Sequence, residues 1–438
     1  MPDSLLNPSA ITPEYHTEVL VIGAGAAGLL AARDVARAGR QVLLVEARGR
    51  LGGRVHTLTP HGFTQPLEAG AEFLHGEVPL SRALLLEAGR TWQAGDGHTY
   101  QFRDGWLQAD ADFFPQLPQV LAKLQALPQD QPLADFLEQA FPGPEYMVLR
   151  TIATQFAEGY DAADAQRISA WALREEWAAG GADDSPRPVG GYGPLLQWLA
   201  DEAQAAGAQL HLNTPVHEIR WQPGHAEVLT GTGARYHARQ VLCTVPLGTW
   251  QLAAGEPGSL QFIPDLPTHR AAAARLGFGP VIKVALEFQT TFWHEQLPEL
   301  EFLISDAPVP TWWSQWPDQR PVLTGWVAGP AADHLRAVPD EQVVALAIAS
   351  LATVLGTTLA AVQAQLKASY VRNWGREPYA HGAYSYPTVG SAADRATLAT
   401  PVADTLFFAG EGVYEGSAGG TVEAAFSSGQ AAARLLLV

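Results

Sequence analysis

An α/β fold of two domains follows from three features of the 438-residue sequence. The chain is too long for one ordinary core. A strand, glycine turn, helix and strand follow one another near the N-terminus, and β/α signatures of the same kind recur in the middle and at the C-terminus. The stretches between them are of another kind, with helical patterns and strongly β-preferring runs. The three like pieces predict one discontinuous domain, 14–76, 187–262 and 375–438. The remainder, 77–186 and 263–374, predicts a second, α+β domain with a mixed sheet and helices.

The elements can be justified in order. In "TEVLVIGAGAAGLLAARDVARAGRQVLLVE", Leu20–Ile22 is a short buried strand and Ala26–Ala38 is Ala/Leu-rich at helical spacing. Gly39 stops that helix and "QVLLVE" is the second strand, completing a right-handed βαβ unit. From about Pro79 to Glu176 helical patterns dominate, as in "FFPQLPQVLAKLQAL" and "QPLADFLEQAF". "GGYGPLLQWLADEAQAAGAQLHLNTPVHEIRW" returns to helix then strand, and "RQVLCTVPLG" adds another strand. "GPVIKVALEF" and "RPVLTGWVAG" read as strands, and "DEQVVALAIASLATVLG" as a long helix. "TLFFAGEGVYEGSAGGTVEAAFSSGQAAARLLL" closes the chain as strand, Gly-rich loop and helix. "SPRPVGG" and "GEPGSLQFIPDLP" are the expected crossover linkers.

Composition narrows the function. With 47% apolar and 16% charged residues, the chain reads as a well-packed globular protein. A net charge of −18 repels phosphate backbones and anionic lipid, so neither nucleic acid nor a membrane surface is an expected partner. The lone Cys243 can make neither an internal disulfide nor a multi-cysteine metal site, and its apolar run predicts a buried thiol; no metal is expected. The first residues lack a basic n-region, and no stretch reaches about 18 uninterrupted apolar residues. The expectation is a soluble cytoplasmic protein, monomer or homodimer.

Gly23, Gly25 and Gly28 fit G-x-G-x-x-G directly after a strand and opening a helix. Gly23 allows the tight turn, Gly25 lets a pyrophosphate approach the backbone, and Gly28 lets helix pack on strand. The helix N-terminus, at Ala26 and Ala27, offers free N–H groups and a positive dipole end. Glu46 closes the second strand where its carboxylate can hold ribose hydroxyls, with Ala47 and Arg48 beside it. A second cluster, "GRLGGRVHT", follows at once with Gly52, Gly53 and Arg54. A nicotinamide fold has no standing need for it. Here the sequence resembles the flavin-binding signature of the glutathione-reductase-like fold, which implies a Rossmann-type FAD domain whose extra arginine and glycine amides meet the pyrophosphate.

Further motifs resemble the flavin-containing amine oxidases, the monoamine and polyamine oxidases. "EAGAEFLHG" resembles the family's segment beside the flavin ring, with Gly70, Ala71, Glu72 and Phe73, and "NTPVHEI" its adenine-side strand, with Val216. Lys283 stands ten residues before Trp293, and Trp374 ten before Tyr384, both family spacings. The C-terminal motif places Gly410, Glu411, Gly420, Thr421 and Val422 at cofactor positions. Only the helical region 77–185 has no counterpart. The resemblance implies an amine as small-molecule substrate, O2 as acceptor and FAD as cofactor. Lys283 would organise a water at flavin N5, Tyr384 would orient the amine, and His75 would assist there.

The residues alone leave alternatives. Lys283 in an apolar β run fits a polar cavity or an edge facing solvent. Tyr384 and Trp374 fit ring contacts with flavin and substrate or ordinary core, and His75 fits an amine site or a satisfied core histidine. The chain also departs from its relatives. Ala383 stands where monoamine oxidases link flavin through a cysteine, which implies non-covalent FAD, and Thr421 replaces a second cage tyrosine. No arginine follows "EAGAEFLHG" to take a substrate carboxylate, and the length excludes the extra modules of histone demethylases. Another flavin oxidoreductase of this fold, protoporphyrinogen oxidase- or carotenoid desaturase-like, and a silent flavin-binding protein are the competing readings.

Overall fold

The structure is a computed structural model that describes residues 13–110, 114–179, 185–416 and 418–438. The N-terminal stretch inspected for a leader falls in residues 1–12, outside that range. Strand β1 (Glu14–Ile22) is longer than the three buried residues suggest, because its first half lies in a partly exposed extension of the sheet. It pairs in parallel with Arg235–Cys243 on one side and with β2 (Val42–Val45) on the other. Helix α1 (Ala26–Arg37) joins β1 to β2 and ends where Gly39 adopts φ +86°.

The first sheet has eight strands. From one edge they run Gln261–Ile263, Val216–Gln222, His225–Thr230, Arg235–Cys243, β1, β2 and Gln209–His211, and Leu406–Phe408 pairs with the end of Arg235–Cys243. "GEPGSLQFIPDLP" is therefore more than a linker: Gln261–Ile263 pairs in parallel with Val216–Gln222. In the other expected linker, Arg187–Pro188 pairs with Trp92–Gln93. Helices α1, Gly193–Ala205 and Val422–Leu436 cover one face of this sheet around an Ala/Leu/Val core.

The second sheet has seven strands in the order Leu366–Asn373, Val281–Phe288, Val322–Ala328, Thr311–Trp313, Leu300–Ser305, His98–Arg103 and Trp106–Ala109. The helical expectation for 79–176 holds at Pro79–Glu87, Leu117–Gln125, Leu133–Ala140, Met147–Tyr160 and Ala170–Ala179, and fails at 98–109. There a hairpin extends the second sheet, with Asp104 and Gly105 both at positive φ in its turn. "HTYQFRDGWLQA" carries aromatics around an Asp-Gly pair, the chemistry of a two-residue hairpin loop. Among the described residues no single helix is long and apolar enough to cross a membrane.

Candidate active site

A cavity of about 1440 Å³ runs from the β1–α1 turn to an aromatic chamber at the second sheet. It exceeds the several hundred Å³ of an ordinary ligand pocket and has room for a dinucleotide and a substrate together. Every residue expected to bind cofactor or act in catalysis lines it, except Gly28. Gly28 has the packing role instead: a Cβ there would collide with the Gly23 carbonyl. At Gly25 the nearest atom to an added Cβ is 3.9 Å away, so the backbone lies open to a ligand. Glu46 holds this loop with both carboxylate oxygens, accepting from Ala24 N–H and Arg48 N–H at 2.9 Å each.

Arg54 reaches the cavity, but its Nη1 is already engaged. It donates to Glu411 Oε1 at 2.6 Å and to the Ala383 carbonyl at 2.7 Å. Burial alone would raise the Glu411 carboxyl; the charge and hydrogen bond of Arg54, with Ser385 and Arg395, together outweigh it and hold the group below the usual carboxylate range. Arg54 thus also ties the Gly-rich segment to the C-terminal loop, beyond the pyrophosphate role its position implies. Thr421 caps the last helix, accepting from Ala424 N–H at 3.2 Å.

Lys283 is not at an edge. Its strand is paired on both sides, opposite Trp326 and Arg372, and the residue is 3% exposed. Nζ donates to the Glu68 carbonyl at 2.9 Å, the Gly70 carbonyl at 3.0 Å and Glu72 Oε2 at 2.8 Å. A lysine has three N–H groups, and here all three are directed at segment 68–72. Lys283 thus clamps segment 68–72, and the water at flavin N5 remains the role that the resemblance implies. Burial would raise the Glu72 carboxyl, but Lys283 and Arg187 hold it low. Arg187 donates to Glu72 Oε1 at 3.2 Å and stacks over Phe73 at 4.4 Å.

Around this clamp stand the rings of the chamber. Tyr384 donates its hydroxyl proton to the Tyr160 carbonyl, and Trp374 Nε1 donates to the Ala69 carbonyl at 2.9 Å. Trp313 faces Lys283 Nζ at 5.0 Å and Phe73 at 5.5 Å. His75 packs on Phe73 and Tyr160, with Nδ1 3.3 Å from Ser185 Oγ. Burial, aided by the Arg187 charge, pushes its pKa down to about 4, so the imidazole is neutral at pH 7.

This glycine cradle and aromatic chamber have counterparts in known proteins. Residues 26–437 match the family of flavin containing amine oxidoreductases. The chain belongs to this family. Polyamine oxidase 4 of Oryza sativa subsp. japonica is 30% identical over 476 residues, covering 99% of this chain and 92% of that protein. Lysine-specific histone demethylase 1 homolog 2 of Arabidopsis thaliana is 29% identical over 91% of this chain, which spans 56% of that protein. A putrescine oxidase solved with putrescine bound shares the fold, with a TM-score of 0.80 at 23% identity over 97% of this chain and 100% of that one. This amine oxidoreductase is an α/β flavoenzyme with a Rossmann-type domain, and its cofactor is FAD. The open backbone at Gly25, and at Gly410 where an added Cβ would meet nothing within 4 Å, fits that group.

Sequence reasoning missed three residues that line the chamber of this amine oxidoreductase, Trp313, Asp161 and Glu176, and also Arg187, which holds Glu72 from behind its wall. The aromatic run "PTWWSQW" was a usable signal for Trp313. Asp161 and Glu176 gave none, since both fall in the helical region without counterpart. They line the same cavity as Tyr384. Asp161 is buried with its carboxyl against the side chains of Glu176 and Trp177. Burial and then the charge of Glu176 raise the Asp161 carboxyl well above its ordinary range; burial also raises Glu176, against the pull of Asp161 and Arg395.

Proposed function

We propose that the enzyme oxidises a primary or secondary amine that carries a second, cationic nitrogen, a diamine or polyamine, and that O2 is the electron acceptor. The observation that carries this reading is the Asp161–Glu176 pair, two adjoining carboxyls that line the cavity with Tyr384, Asp161 buried and Glu176 half-buried. Two adjoining carboxyls repel one another when both are ionised, and a second ammonium between them would relieve that repulsion and donate to both. A porphyrinogen or a carotenoid has no cation to offer there.

FAD would be held non-covalently by the glycine turn at Gly23 and Gly25, by Arg54 and by the loop at Gly410, and would supply a two-electron acceptor for the C–H bond beside the nitrogen, with O2 reduced in turn to H2O2. The substrate becomes an imine, which water hydrolyses to an aldehyde. The chain's own residues select and hold the reactive form. Phe73, Trp313, Trp326 and Tyr384 wall the chamber with rings, which excludes water. Tyr384 has committed its proton to Tyr160, so its oxygen can only accept, and an amine N–H is a suitable donor. His75 stays neutral and does not repel a nearby ammonium. The amine reacts deprotonated, so kcat/KM rises with pH toward the substrate's own pKa.

An anaerobic panel of putrescine, spermidine, spermine and arylalkylamines, followed by flavin absorbance, tests the reading. Diamines and polyamines should bleach the flavin; a panel in which no amine does would sink it. Asp161→Asn should raise KM for diamines by roughly tenfold or more and leave monoamines of equal length nearly unchanged. Equal effects on both would remove the acidic pair from substrate recognition.

A further inference from the structure

Outside the walls of the cavity, the first sheet carries a cluster that the oxidase reaction does not use. β1 and Arg235–Cys243 run in parallel and set His16 directly opposite His237. The two rings stack with centroids 4.8 Å apart and planes 17° apart. Glu14, two residues before His16, points to the same face by strand alternation. One ligand atom from each of Glu14, His16 and His237 lies within 4.8 Å of the others.

We propose that Glu14, His16 and His237 form a surface site for a divalent transition-metal ion, with Zn2+ as its simplest occupant. Two imidazole nitrogens and a carboxylate oxygen are a donor set that selects Zn2+, Ni2+ or Cu2+ over Mg2+ or Ca2+. Bonds of about 2.0–2.2 Å put tetrahedral ligand atoms roughly 3.3 Å apart. Because ring lone pairs lie in the ring planes, binding requires His16 to turn out of its parallel stack with His237, and Glu14 and His16 are exposed and able to turn. The register of two paired strands fixes the backbone beneath them, which lowers the cost of organising the ligands.

The surrounding charge allows a cation. Arg235 is the register partner of Glu14, but its guanidinium is held by Glu227 at 3.2 Å. Glu14 itself has no ion pair among the described residues. The chain's net charge of −18 adds a general attraction for divalent ions. Bound metal would staple the start of β1 to the strand beside it, with water completing the coordination.

Calorimetric titration of chelator-treated, FAD-loaded enzyme with ZnCl2 tests the site. One saturable site at micromolar zinc is expected, with a rise in Tm that MgCl2 does not reproduce. His16→Ala and His237→Ala should each weaken binding about tenfold or more and abolish the Tm rise. Glu14→Gln should do so less severely. Flavin absorbance and circular dichroism verify that each variant is folded, Glu14 and His16 being exposed and His237 half-buried. Absence of saturable zinc binding, or binding that survives both histidine variants, overturns the assignment.

Discussion

Lys283 Nζ has three protons and three protein acceptors within 3.0 Å, and this saturation decides what its removal does. Lys283→Met keeps much of the side chain's volume but leaves Glu72 buried with Arg187 and Gln315 as its remaining partners. Breaking a buried pair from one side typically costs about 3–5 kcal/mol. Lys283→Met should therefore lower the urea midpoint and loosen FAD, while Lys283→Met with Glu72→Gln should recover part of the loss. Additive losses in that cycle would dissolve the clamp. His75 gives a pH signature. Its folded pKa, about 4, lies below the ordinary 6.5, so the unfolded chain binds the extra proton between those values. Stability is then fully present above pH 6.5 and falls as the pH drops toward 4, by on the order of 3 kcal/mol for this one group. His75→Asn should flatten that acid slope; an unchanged slope would mean the ring is solvated. The positions of Lys283 and His75 were legible in the sequence because strand patterning and motif spacing are local. Their partners were not, because which carbonyl faces a side chain depends on packing between segments some 200 residues apart.

At the scale of elements, α1 is held from both sides by glycines. Gly28 lets it sit on the β1 turn, and Gly429 in the last helix lets that helix approach Ala27. The first of these could be read from a local motif. The second could not, since it takes its meaning from a helix that arrives at the other end of the chain. A side chain at Gly429 would strike the Ala27 backbone, and overpacking of this kind costs about 1–3 kcal/mol. Gly429→Val should displace α1, with its free N–H groups, and purify with substoichiometric FAD; full occupancy would show that the two helices can separate without disturbing the cradle. The missed hairpin at 98–109 belongs to the same scale: its two strands are short, and the longer helical runs on either side set the apparent pattern.

For the whole molecule, the decisive fact is that one cavity takes its walls from both sheets. Cys243, the sole cysteine, lies in the first sheet, 4% exposed and outside the walls of that cavity, and burial pushes its pKa up to about 12. With Ala383 at the chamber, no thiolate stands ready for a link to flavin. Acid or heat denaturation followed by filtration should release all the yellow colour as free FAD, and colour retained on washed polypeptide would contradict this. Because the ligand bridges both layers, its removal should lower Tm, by the equivalent of about 4 kcal/mol when FAD is present at a thousandfold excess over Kd. The two-domain plan was readable from alternating β/α and β-rich segments. The second sheet's exact membership was not, because Leu300–Ser305 finds its parallel partner about 200 residues upstream.

The clamp has one more consequence, in chemical accessibility. The sequence contains three lysines, and of these Lys283 alone is buried, at 3% exposure, on a strand of one sheet while gripping a segment that leads from the other. An amine-reactive label added to the native protein can therefore acylate Lys123 and Lys367 freely and must wait for the layers to part before it reaches the third. Label on the Lys283 peptide, followed over time by peptide mapping that separates it from the α-amine and the other two lysines, would clock that parting directly.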